Sequence, residues 1–82
     1  MTDKDFLVSI GEKIRQIREG KSISQIELAS IIGMDNSNLN VIENGKSNPQ
    51  ILTYFKICNG LNIEFKDLFS AIDIKSFNET KK

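Results

Sequence analysis

Residues 24–46 read SQIELASIIGMDNSNLNVIENGK, and this stretch decides the fold. Ser24 followed by Glu27 three positions later is a capping-box pattern, so a helix starts at Gln25 and runs to about Ile32. Leu28, Ala29 and Ile32 give it an inward face. Gly33 permits the positive φ that a sharp helix exit needs, Met34 can pack into the corner, and Asp35 can cap a second helix over Asn36–Glu43. In that helix Leu39 and Ile42 point inward. Asn36, Ser37 and Asn40 share another face, because residues three and four apart are neighbours on a helix. Gly45 follows the last turn as a stop.

The rest of the chain is helical in pattern. Met1–Asp5 is a short polar lead. Leu7, Ile10, Ile14 and Ile17 repeat at helical spacing, which predicts a first helix over about Lys4–Gly20 with one buried stripe. Asn48-Pro49 reads as a cap followed by proline in the first turn of a fourth helix, about Pro49–Asn59. Gly60–Ile63 makes a bend into a fifth helix, about Glu64–Ile72, in which Leu68 points inward. The fold class is therefore all-α, with one domain over 1–72, the helix-turn-helix at 24–46, and a tail over 73–82. The tail holds Ile74 and Phe77 among polar residues and either joins an interface or stays disordered.

This segment resembles the helix-turn-helix of the phage repressor and Cro-like family, the Xre-type regulators. The resemblance rests on Gln25, Leu28, Ala29, Gly33, Leu39, Ile42, Glu43, Asn44 and Gly45, and extends from about Ile10 to Phe69. It implies a compact five-helix domain of the lambda-repressor type. Such domains are usually dimeric and lay the second motif helix in the major groove. By the same resemblance, Arg18 pairs with Glu43 and clamps the first helix to the recognition helix. Gln25 matches a glutamine that contacts the DNA backbone and can also help fix neighbouring base-reading side chains. Ile51, Tyr54, Ile57 and Cys58 match core positions. Ser22 stands where glycine is common in similar sequences, which predicts a slightly altered turn.

The chemistry of the outward residues fits that expectation. Asn36, Ser37, Asn40 and Val41 are the candidates for reading bases. An asparagine amide presents a donor and an acceptor together, matching N6 and N7 of adenine, and valine can touch a thymine methyl. With no arginine or lysine on this face, the expected preference is for A·T pairs. The competing reading is an ordinary solvated helix side, but three asparagines suit a helix poorly and Val41 is apolar. Gln25, Asn38, Asn44, Lys46, Ser47 and Asn48 are the candidates for phosphate contacts, which hold position without carrying sequence information.

Charge and composition constrain the alternatives. Eleven basic and eleven acidic residues cancel. Many DNA-binding domains are basic, because neutralising phosphates releases counterions, so non-specific DNA affinity should be low. Lys13, Arg15, Arg18 and Lys21 nevertheless cluster in and just after the first helix. The chain has no histidine and one cysteine, Cys58. An internal disulfide is excluded, a structural zinc site has no ligand set, and Cys58 reads as a small buried hydrophobe. No phosphate-cradling glycine loop or paired carboxylates in a cleft suggest an enzyme. No cofactor or small-molecule ligand is indicated, and with no apolar run of membrane-span length the expected location is the cytoplasm.

The expected partners are double-stranded DNA and a second copy of the chain. Leu52, Phe55, Phe65, Phe69 and Ile72 exceed what so short a chain needs for its core, and similar proteins dimerise through this region. The alternative is a protein-interaction module on the same fold, such as an antitoxin component that binds a toxin.

Overall fold

The computed structural model describes residues 2–70, and these form five helices with no strand among them. They are α1 (Asp3–Gly20), α2 (Gln25–Ile32), α3 (Asn36–Glu43), α4 (Ile51–Leu61) and α5 (Phe65–Phe69). Among them, no helix is long and apolar enough to cross a membrane. Ile72 and the tail over 73–82 lie outside the described residues.

Local rules explain most helix starts. Thr2 caps α1: its hydroxyl accepts from the Asp5 N–H at 3.1 Å, and the Asp5 carboxylate accepts from the Thr2 N–H at 3.1 Å. Asp3–Asp5 of the polar lead thus belong to the helix, which starts before Lys4, and Phe6 packs on the core. Ser24 and Glu27 make the expected capping box on α2, with both bonds at 3.0 Å. Gly33 ends α2 at φ 70°, and the Met34 N–H donates to the Ala29 carbonyl at 2.8 Å. Asp35 has the extended backbone of a cap, but its side chain accepts no capping bond.

Two expectations at α4 are corrected. The helix starts at Ile51, with Gln50 at the cap position, so neither Asn48 nor Pro49 begins it. Proline's fixed φ suits an extended approach as well as a first turn, so the dipeptide alone does not choose between them. At the other end the helix continues through Gly60 to Leu61, and Asn62 takes the left-handed conformation at φ 57°. Gly60 serves packing instead of bending: a Cβ there would lie 2.5 Å from Cγ2 of Ile32 on α2. The fifth helix is shorter than expected at its start, where Glu64 caps and donates its N–H to the Asp67 carboxylate at 3.0 Å.

The core contains Ile10 and Ile14 of α1, Leu28 and Ala29 of α2, Leu39 and Ile42 of α3, Tyr54, Ile57, Cys58 and Leu61 of α4, and Leu68 of α5. Leu7 and Ile17 of the expected α1 stripe are only half-buried. Burial pushes the Cys58 thiol up, with the negative Asp67 adding to the effect, so it stays protonated. Gly11 brings α1 against the end of α3, since a Cβ there would sit 2.4 Å from the Ile42 carbonyl oxygen. The α1–α2 turn keeps a left-handed residue at Ser22, φ 58°. Serine there adopts a conformation that glycine would take without strain.

Candidate nucleic-acid interface

The interface is built on one buried ion pair. Arg18 lies on α1, and Glu43 lies in the last turn of α3. Nε of Arg18 donates to Oε2 of Glu43 at 2.7 Å, and Nη2 donates to Oε1 at 3.0 Å. Nη1 donates to the Ile23 carbonyl at 2.9 Å, which ties the α1–α2 turn to the same group. The side chains are 9% and 1% exposed. A planar fork meeting a carboxylate with two bonds is the strong form of such a pair. The bond to Glu43 holds the Arg18 guanidinium above its ordinary, already high pKa, so it stays charged.

Gln25 extends this pair to the surface. Its Nε2 donates to Oε1 of Glu43 at 3.1 Å. Its Oε1 faces Nδ2 of Asn40, which donates at 3.5 Å. Asn44 approaches Asn40 from the other side, where its Nδ2 donates to the Asn40 backbone carbonyl at 2.9 Å and to Asn40 Oδ1 at 3.1 Å. The first residue of α2 and the residue after α3 therefore flank one outward asparagine.

Asn36, Ser37, Asn40 and Val41 are all exposed. They sit on a helix of 8 residues, about 12 Å long, a size that fits the major groove. Asn38 is exposed as well. With Met34, Val41, Ile42, Ser47, Pro49 and Thr53 it lines a crevice of about 310 Å³ where α3 meets the chain leading into α4. Asn38 and Ser47 thus come together beside α3, and Lys46 and Asn48 are exposed in the same loop.

Two members of the expected phosphate set have other engagements. Asn44 directs its amide N–H groups at Asn40, so its side chain supports α3. The i, i+4 spacing of the two asparagines is the signal that points to this pairing. Gln25 keeps its backbone N–H and one amide hydrogen for an outside acceptor. The capping box already uses the N–H groups of Ser24 and Glu27, so the start of α2 offers a phosphate only the amides of Gln25 and Ile26.

The apolar residues expected to face a partner divide into two groups. Phe69 is half-buried and packs edge-on to Tyr54, ring centroids 5.4 Å apart, with Phe65 on another side at 4.6 Å. Phe65 is half-buried too and stacks on Phe55 at 4.5 Å. Both therefore belong largely to the protomer's own packing. Leu52 and Phe55 stay out, at 58% and 52% exposed, and Ile51, expected in the core, joins them at 64%. These three share a side of α4, since 51 and 52 lie four and three positions before 55.

Residues 14–68 match the HTH_3 family model, described as helix-turn-helix. The control protein C.MunI of a Mycoplasma species is 36% identical over 70 residues, covering 84% of this chain and 95% of that protein. The solved structure of the restriction-modification controller protein C.AhdI from Aeromonas hydrophila superposes with a TM-score of 0.77. Its identity is 34%, over 79% of this chain and 98% of that one. The antitoxin PezA of Streptococcus pneumoniae is 30% identical over 59 residues, 72% of this chain but 37% of that protein.

Proposed function

As the chain belongs to the HTH_3 helix-turn-helix family of DNA-binding transcription regulators, we propose that it works as a homodimer on a palindromic operator. Asn36, Ser37, Asn40 and Val41 read base edges in the major groove. Gln25, Asn38, Lys46, Ser47 and Asn48 hold the phosphates. Ile51, Leu52 and Phe55 form the centre of the subunit interface. The DNA-binding unit spans 1–72, and the protein acts where its DNA is, in the cytoplasm.

The observation that carries this reading is the outward row of amides on α3, held by a buried ion pair at the end of that helix. A helix presenting amides so rigidly suits adenine recognition. A short half-site supplies few contacts, so a second half-site about 34 Å away is needed to raise the effective concentration.

Selection from a random DNA pool tests the proposal, combined with sedimentation of wild type and Phe55→Asp. A palindrome with A·T pairs at matched positions, bound by a dimer that Phe55→Asp breaks apart, is the expected result. A steep salt dependence with no enriched sequence would contradict it. Similarity to an antitoxin favours one second reading, docking on a toxin through the apolar side of α4. A dimeric protein that enriches no DNA sequence would favour that role.

A further inference from the structure

We propose that the groove between the start of α1 and the start of α4 receives Leu52 of a second copy of this chain. The inference rests on the reading of the protein as a homodimer on one duplex, and adds how the two copies meet.

The groove has a volume of about 500 Å³, and Leu7, Pro49, Ile51, Tyr54 and Phe69 are among the residues that line it. Ile51 also belongs to the exposed apolar side of α4, with Leu52 and Phe55. Those three side chains, each a little over half exposed, offer roughly 300 Å². A standard interface takes about 800 Å² from each partner. The side of α4 is therefore too small alone, and the groove is the apolar surface that continues it.

Symmetry decides which side chain enters. A two-fold axis sets one surface against itself, so each projection needs a hollow on that same surface. Both copies of α3 must face one duplex, so the axis leads away from the DNA. The fourth helix leads the same way. It starts just after the loop 44–48 of candidate phosphate contacts. It ends with Gly60 against Ile32, the last residue of α2, whose first residue Gln25 is on the DNA side. At about 100° per residue, Tyr54, Ile51, Phe55 and Leu52 follow one another around the helix. The groove is thus on one flank, Leu52 on the other, and Phe55 between them. Rotation about an axis along α4 exchanges the flanks, which brings Leu52 of each copy to the groove of the other, beside Ile51 and Leu7. Phe55, braced by its stack on Phe65 at 4.5 Å, stays near the axis.

The test is a size swap read by sedimentation. Leu52→Ala should weaken the dimer about 30-fold or more, the effect of truncating a buried anchor. Leu7→Trp narrows the groove and should weaken it as well. Combined, the two should cost no more than either alone, because the added bulk replaces the bulk removed. Fully additive losses, or a Leu7→Trp protein that dimerises like wild type, would overturn the proposal. A Leu7→Trp protein that dimerises normally but unfolds at lower urea would assign the groove to the protomer's own chain. Cross-linking gives a second readout without bulky substitutions. Leu7→Cys protein mixed with Leu52→Cys protein should form a disulfide-linked pair on oxidation, and neither variant should link to itself. Dimers in which only Leu52→Cys links to itself, or in which nothing links, would refute this docking while leaving the homodimer intact. A wild type that sediments as a monomer at every concentration would end the homodimer reading and this inference with it.

Discussion

Replacing Arg18 with methionine will cost about 3–5 kcal/mol of folding stability, the usual consequence of stranding one partner of a buried pair. The size follows from what Glu43 loses. Its side chain is 1% exposed, and two of the three donors on it, Nε and Nη2, belong to Arg18. Only the Gln25 amide remains. A domain of this length has about 4–12 kcal/mol in total, so the variant is close to unfolding. Each kcal/mol moves the midpoint by about 4–8 °C at this size, which puts the fall in Tm at about 12 °C or more. The double variant Arg18→Met/Glu43→Leu should recover most of the loss, because an apolar pair of similar volume has no desolvation to offset. Urea unfolding of wild type, both single variants and the double variant closes the cycle. A cost below about 1 kcal/mol for Arg18→Met would refute the argument, since it would mean the pair behaves as a solvated surface pair.

Ser22→Gly should raise stability by up to about 1 kcal/mol, because the left-handed backbone of Ser22 costs an L-residue about 1–2 kcal/mol and glycine's extra unfolded-state freedom returns part of it. A lower urea midpoint would contradict this. Gly11→Ala should destabilise by about 1–3 kcal/mol or more, since the new Cβ would meet backbone atoms of Ile42 and Glu43 that cannot rotate away. An unchanged urea midpoint would show that α1 can back off freely. Bonds from the Ser24 backbone and hydroxyl hold the Glu27 carboxylate below its ordinary 4.5. Its contribution is thus present above that value and lost as pH falls through the lowered one. In Glu27→Gln, stability should be slightly lower near neutrality and fall less between about pH 5 and pH 3, so that the two proteins converge in acid. An acid limb as steep as wild type would assign it to other carboxylates, with Asp5 the first to examine because the Thr2 bonds lower it similarly.

The helix-turn-helix was legible because its signals are local. A capping box and a glycine that must turn left act within four residues, and α2 and α3 have the expected bounds. The ends of α4 were not, because Pro49 and Gly60 each have two uses and only tertiary packing selects one. Gly60 fits against Ile32, a residue far away in sequence. The same reason hid the true place of Ile51. By resemblance it suits a core position, but Tyr54, Ile57, Cys58 and Leu61 are the residues of α4 that the core takes up. At the interface, residue types and the exposed face were readable from periodicity. The links from Glu43 to Gln25 and from Gln25 to Asn40 join residues 18 and 15 positions apart, and no local rule reaches that far.

A chain with equal numbers of acidic and basic residues cannot rely on a broad attractive field to find or hold DNA. Weak phosphate binding lowers affinity for every site, correct or not, so discrimination must come from hydrogen-bond order at a few base pairs. That places a demand on how firmly α3 is held. The buried pair answers this demand in an economical way. Arg18 and Glu43 hold α1 to α3 as a folding contact, and the same carboxylate, through Gln25, reaches the surface asparagine that would touch the base. On the proposed reading, stability and specificity therefore share one group. The cycle at Arg18 and Glu43 can separate them, since the apolar double variant should fold well while its Gln25 amide has no carboxylate left to orient it.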